Sequence, residues 1–262
     1  QDRQRTILFQ YRFGVAELAE SSNYMAEKLD MIETSRREFV SNVSHELKTP
    51  LSSIKVLSDS ILIQDPENVP KEMYVEFLMD INSEVDRMTD IINDLLTLVR
   101  MNREEVHLNP MEINLTDMIS DIVRRLEPIA KSKNINLNYN KLKAVKAEIE
   151  ETKFSLAVSN LIENAIKYNN DGGNVEVTVD ADNQNAFVTI ADDGVGIAEE
   201  ELGKIFDRFY RVDKNRDRES GGTGLGLSIA RSAVLMHNGT IKVSSKENEG
   251  TTFVIIIPLK QE

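Results

Sequence analysis

Apolar residues recur in alternating steps of three and four along the first part of the chain: Val15, Leu18, Met25, Leu29, Ile32 and Phe39, with Ser22 and Arg36 at the remaining seam positions. That spacing is the a/d seam of a left-handed coiled coil, which must keep facing another helix. The seam continues through Val43, Leu47, Ile54, Leu57 and Ile61, further than an ordinary amphipathic helix against its own core needs. A second helical pattern carries Phe77, Ile81, Val85, Met88, Ile92, Leu95 and Val99. The connector Gln64–Pro70 includes Pro66 and Pro70, and the latter suits a first helical turn. Two helices joined by a short loop make a hairpin. Alone it exposes too much apolar surface, so pairing of two copies into a four-helix bundle is expected.

After about Asn102 the pattern changes. Asn114–Lys131 and Glu151–Asn169 read as helices, and Leu227–His237 as a third, apolar one. Strand-like alternation marks Ile135–Leu142, Asn174–Val179, Ala186–Ala191, Thr240–Ser244 and Thr251–Pro258. This stretch is long enough for an independent α/β domain. The expected division is a coiled coil over 1–32, a dimerisation domain over 33–102 and an α/β domain over 103–262, with the hairpin ending near Met101–Glu105. Gln1–Phe13 fits neither pattern. The net charge of −13 argues against a nucleic-acid partner. The absence of cysteine excludes disulfides and thiolate zinc sites. No apolar run reaches the length of a membrane span. Gln rather than Met stands first, so the chain is expected to be an excised fragment of a longer protein.

Rotating by about 100° per residue from His45 puts Phe39, Val43, Ile54, Leu57 and Ile61 on the far side of the helix, while Ser41, Thr49 and Ser52 share the histidine's polar stripe. Glu46 can orient the imidazole or take its proton, leaving the other ring nitrogen to act as a nucleophile. Pro50 removes the N–H that would bond the Glu46 carbonyl, so the helix is expected to bend there.

The helix at Glu151–Asn169 also has two chemically distinct faces. Phe154, Val158, Leu161 and Ala165 gather on one; Asn160, Asn164 and Lys167 lie on the other, beside Glu163. Amide oxygens can ligate Mg²⁺ beside phosphates, and a lysine supplies a point charge. Two glycine clusters follow. Asp192-Asp193-Gly194-Val195-Gly196 ends a strand, and Gly221-Gly222-Thr223-Gly224-Leu225-Gly226 opens a helix, where main-chain donors suit an anion. Neither is a P-loop or a strand-first dinucleotide fingerprint.

FVSNVSHELKTPL (Phe39–Leu51) resembles the phosphoacceptor box of sensor histidine kinases of two-component systems. NLIENAIKY (Asn160–Tyr168), DDGVGI (Asp192–Ile197), IFDRFYR (Ile205–Arg211) and GGTGLGLS (Gly221–Ser228) resemble the box set of their ATPase domain, a fold shared with gyrase and the Hsp90 chaperone. VAELAESSNYMAEKL (Val15–Leu29) is similar to the second helix of a HAMP relay module. The resemblance covers roughly residues 15–258. It implies a dimeric helical-hairpin four-helix bundle followed by an α/β sandwich ATPase domain. It implies His45 as the phosphorylated residue, Glu46 as its base and Thr49 as a residue placing water for dephosphorylation of the partner. Asp192 would bond the adenine amino group, Asn164 would ligate Mg²⁺ with Asn160 close by, and Lys167 and Tyr168 would contact phosphate and ribose. Gly194, Gly196, Gly222, Gly224, Leu225 and Gly226 belong to the nucleotide boxes, Arg208 and Arg211 are candidate transition-state cations, and Val212–Ser220 would be the lid over ATP. The implied activity is ATP-dependent autophosphorylation, then transfer to an aspartate of a response-regulator receiver domain, with phosphatase activity toward that regulator. Two rivals remain: a non-kinase ATPase, which leaves His45-Glu46 unexplained, and a coiled-coil scaffold, which explains only the heptads. His107 and His237 are assigned to structure or surface.

Overall fold

The computed structural model describes residues 2–63, 70–101, 108–212 and 222–261, and over residues 2–20 the backbone alone. The chain divides into two compact units, 1–81 and 82–262. The connector residues 64–69, the junction 102–107 with His107, and residues 213–221 of the expected lid and its flanking glycine lie outside the described residues.

The first unit is built on α1 (Asp2–Ile63), a single helix of 62 residues that runs through Pro50 without interruption, and on the start of α2 (Lys71–Met101). The helix thus extends through Gln1–Phe13 as far as Asp2, a stretch whose sequence gave no periodic signal. Phe39, Val43, Leu47, Ile54, Leu57 and Ile61 are half-buried, whereas Ser41, His45 and Ser52 are exposed as expected; Thr49, expected on the same stripe, is half-buried. Upstream the seam stands open: Met25, Leu29 and Ile32 are 62%, 67% and 65% exposed.

Within the second unit α2 is apolar on two sides. Ile91, Leu98 and Met101 are buried, the latter two in the main core, while Ile92 and Val99 of the expected seam remain exposed. The rest is an α/β sandwich: β1 (Met111–Asn114), α3 (Leu115–Ser132), β2 (Asn136–Lys141), β3 (Lys146–Ile149), α4 (Glu151–Lys167), β4 (Asn174–Ala181), β5 (Asn185–Asp192), α5 (Gly226–Met236), β6 (Thr240–Lys246) and β7 (Gly250–Pro258). Five strands form a mixed sheet in the order β2-β4-β5-β7-β6, with β2 parallel to β4 and the other pairs antiparallel; β1 and β3 pair separately. The register aligns Val177 with Ile190 and Ile190 with Phe253, and Val179 with Val188 and Val188 with Ile255. These rows are buried, so each strand's alternation presents one apolar face to the helices.

Local signals set the helix starts. The Asn114 side chain accepts from the Thr116 and Asp117 amides, and Glu150 accepts from the Lys153 amide, capping α3 and α4. His237, just past α5, is wholly buried: its Nε2 accepts from the Glu150 amide at 3.0 Å and its Nδ1 lies 2.7 Å from the Ala233 carbonyl. The proton therefore sits on Nδ1, and the ring ties the start of α4 to the end of α5, with its edge against Phe154. Burial, only partly offset by these contacts, lowers its pKa from the ordinary 6.5. A histidine held neutral stabilises the fold fully above its unfolded pKa and loses that contribution as pH falls below about 6.5 through the folded value. Comparing urea midpoints at pH 7.5 and 5.5, the parent should lose more stability than His237→Gln, which keeps an acceptor but does not titrate; equal losses would contradict this.

Candidate active site

A cleft of about 640 Å³ opens in the second unit, within the usual range for a small-molecule site. One wall is the polar side of α4. Phe154, Val158 and Leu161 are fully buried and Ala165 is 4% exposed, which turns Asn160, Asn164, Lys167 and the adjoining Tyr168 into the cleft. Losing a buried aromatic such as Phe154 would cost about 3–5 kcal/mol, so this orientation is firmly held. The Asn160 amide donates to the Leu156 carbonyl at 3.1 Å. The Asn164 side chain makes no hydrogen bond to a described residue, leaving its oxygen available to a ligand. Lys167 Nζ lies 4.9 Å from the centre of the Tyr168 ring and against Gly222.

The end of β5 forms the opposite wall. Asp192 Oδ1 accepts from the Gly194 amide at 3.0 Å and from the Thr251 amide at 3.2 Å. Both bonds use the same oxygen, and the side chain lines the cleft. Burial raises the Asp192 pKa to about 6, against the lowering effect of those two amides, and Asp193 adds to the rise. Asp193 instead accepts from the Asn174 main-chain and side-chain amides and fixes the strand end. Gly196 has φ 67°, and a Cβ there would meet the Lys246 carbonyl. Only glycine lets the loop lie so close to the β6–β7 hairpin.

The second glycine segment closes the cleft. Gly224, at φ 71°, packs on the Phe209 backbone, and the Phe209 amide donates to the Gly224 carbonyl at 2.8 Å. Arg211 donates to the Gly222 carbonyl. A Cβ at Gly226 would lie 3.0 Å from Asn160 Oδ1, so a larger residue there would crowd the amide.

Most of the expected binding residues thus meet in one place: Asn160, Asn164, Lys167, Tyr168, Asp192, Gly196, Arg211, Gly222, Gly224 and Gly226 all line the cleft. Three do not. The Gly194 amide donates to Asp192, Arg208 is exposed outside the lining, and Leu225 is fully buried in the core with its amide given to the Thr223 hydroxyl. The sequence reading missed Asp90, Asn93 and Asp94 of α2, Thr223, and Glu247, Asn248, Thr251 and Phe253 of the last hairpin. The i, i+3, i+4 spacing of the three α2 residues was a visible polar stripe on an apolar helix; nothing local marked the hairpin. Among the described residues no cluster of three or more acidic, histidine or cysteine side chains could hold a metal. An Mg²⁺ carried in on phosphates and finished by one amide oxygen and waters fits such a donor set.

In the first unit, His45 is exposed, and Glu46 and Thr49 are half-buried. The Thr49 hydroxyl donates to the His45 carbonyl at 3.2 Å, using its proton within the helix.

Comparisons with known proteins agree with this arrangement. Residues 35–104 match the His Kinase A (phospho-acceptor) domain, and residues 149–261 match the histidine kinase-, DNA gyrase B-, and HSP90-like ATPase family. The sensor histidine kinase WalK of Bacillus subtilis is 37% identical over 239 residues, 90% of this chain, and the sensor protein kinase WalK of Staphylococcus aureus is 38% identical over 232 residues, 87% of it. The chain spans 38% and 54% of those relatives' own lengths. Among solved structures, the histidine kinase ThkA in complex with the response regulator protein TrrA has a TM-score of 0.65 at 25% identity, covering 85% of this chain and 61% of that one. The histidine kinase AdeS of Acinetobacter baumannii has a TM-score of 0.64 at 22% identity over 82% of this chain and 98% of that one, a likeness of fold. A helical hairpin bearing a phosphoacceptor box, followed by an α/β ATPase domain, defines a class of signalling proteins. The chain belongs to the sensor histidine kinases of two-component systems.

Proposed function

We propose that this chain binds ATP in the cleft of the second unit, transfers the γ-phosphoryl group to His45, and passes it to an aspartate of a response-regulator receiver domain. The observation that carries the reading is the fixed Asp192 carboxylate opposite an amide- and lysine-lined helix face, all in one cleft. Asp192 accepts from the adenine amino group; Lys167 and the glycine main chain receive phosphate; Tyr168 lies where ribose is held. Asn164 would hold Mg²⁺, which when bound offsets phosphate charge. Arg211, in the cleft, is better placed than Arg208 to meet the charge that develops during transfer. In the transfer an imidazole nitrogen of His45 forms a bond to the γ-phosphorus as the bond to the bridging oxygen breaks, and ADP leaves; Glu46 takes or stabilises the imidazole proton.

The open seam at Met25, Leu29 and Ile32 supports a homodimer, with 1–32, 33–102 and 103–262 as relay, dimerisation and catalytic segments. No described helix is long and apolar enough to cross a membrane. We place the chain on the cytoplasmic side of a membrane sensor, where ATP and a receiver domain are available.

Three outcomes test these roles. His45→Ala should abolish acid-labile, base-stable label from γ-labelled ATP while calorimetric ATP affinity stays within a few-fold; residual label of that kind would refute the assignment. The Asp192 role has a pH signature. Its folded pKa, about 6, lies above the ordinary 3.8, and only the ionised form is a full acceptor for adenine. ADP affinity should be level above pH 7 and fall toward about tenfold per unit below 6, with the steepness lost in Asp192→Asn; parallel profiles would contradict it. The Thr49 hydroxyl keeps lone pairs for a water beside the regulator. Thr49→Ala should therefore keep autophosphorylation and transfer but lose most regulator dephosphorylation, and a matched loss of all three rates would sink the role.

A further inference from the structure

The Thr223 hydroxyl donates to Asp94 Oδ2 at 2.6 Å and accepts from the Leu225 amide at 3.2 Å. Thr223 belongs to the glycine segment that closes the cleft, whereas Asp94 comes from α2. Both line the same cleft as Asn164, Lys167 and Gly222. A hydroxyl has one proton to give, and here it goes to a carboxylate. An anion at that position imitates part of a phosphate: an oxygen acceptor with negative charge, bonded to a hydroxyl of the segment that leads into α5. Burial raises the Asp94 carboxyl above its ordinary 3.8, the Thr223 hydroxyl lowers it, and neighbouring Asp90 raises it further. A desolvated carboxylate beside another acid is costly, and the short bond to Thr223 offsets part of that cost.

We propose that Asp94 acts as an internal competitor of nucleotide phosphate, holding the Thr223 hydroxyl that a phosphate oxygen would otherwise take and so coupling the hold of α2 on the glycine segment to the occupancy of the cleft. The inference rests on the reading of the cleft as an ATP site. It makes Asp94 a determinant of affinity that opposes binding. Coupling of this kind is reciprocal: whatever the Asp94–Thr223 bond subtracts from phosphate binding, phosphate binding subtracts from the bond. Asp94 contacts no nucleoside in this scheme, so only ligands with phosphate feel it.

The test uses the whole chain and two probes, ATP with excess Mg²⁺ and adenosine, titrated by calorimetry and by NMR. Asp94→Ala should bind ATP about three- to tenfold more tightly than the parent, the scale of one ordinary net hydrogen bond, with adenosine affinity unchanged. Asp94→Asn, nearly isosteric and without the charge, guards against a folding artefact and should shift ATP affinity in the same direction. ATP affinity that is unchanged or weaker in both variants, on a parent that binds ATP, overturns the competitor role and leaves the ATP site standing. An equal gain for adenosine also overturns it, because the effect would not act through phosphate. Failure of the parent to bind ATP at all would remove the site reading and this inference together.

Discussion

The buried stripe of α4, Phe154, Val158, Leu161 and Ala165, lies between the sheet and the flanking helices, and that burial decides where Asn160, Asn164 and Lys167 point. A helix turns about 100° per residue, so a slip of one position would carry amides into the core and apolar groups into the cleft. The surroundings resist such a slip. Glu150 caps the first turn, His237 grips the Glu150 amide from the end of α5, and Arg125 of α3 donates to the Ser159 hydroxyl at 2.8 Å. The glycine segments then fit against a helix whose rotation is already set: Gly222 against Lys167, Gly226 against Asn160.

Much of this was legible in the sequence because the signals were local and long. β4, β5 and β7 alternate over eight or nine residues and were read nearly to their ends, since each buries one face only. The two faces of α4 were equally clear. β1 and β3, four residues each, were not foreseen; so short a run carries no alternation, and each exists through antiparallel pairing with a distant partner. The motif reading assigned ligand roles to neighbouring residues of a box, yet side chains at a helix start diverge. Leu225 therefore enters the core while Gly224 and Gly226 line the cleft. The heptad reading gave α2 one seam; the structure adds a second stripe at Ile91, Leu98 and Met101, visible only once a second packing partner is known.

That second stripe changes what α2 is for. Its exposed Ile92 and Val99 keep the spacing expected of a helix pairing within a bundle, while Leu98 and Met101 join the main core and Asp94 accepts from Thr223. The helix thus carries one apolar face into the main core and a second that stands exposed. A change at the glycine segment has a direct physical route to it through a single hydrogen bond. On α1, the helix runs unbroken through Pro50 and the His45 side chain is exposed.

The central claim is that phosphate from ATP comes to rest on one imidazole. Mapping the modified residue by tandem mass spectrometry of the unaltered chain, digested at alkaline pH after incubation with Mg-ATP, tests it most directly. The account predicts a single phosphohistidine at His45. Phosphate confined to another residue, or ATP hydrolysis without any phosphorylated chain, would contradict it.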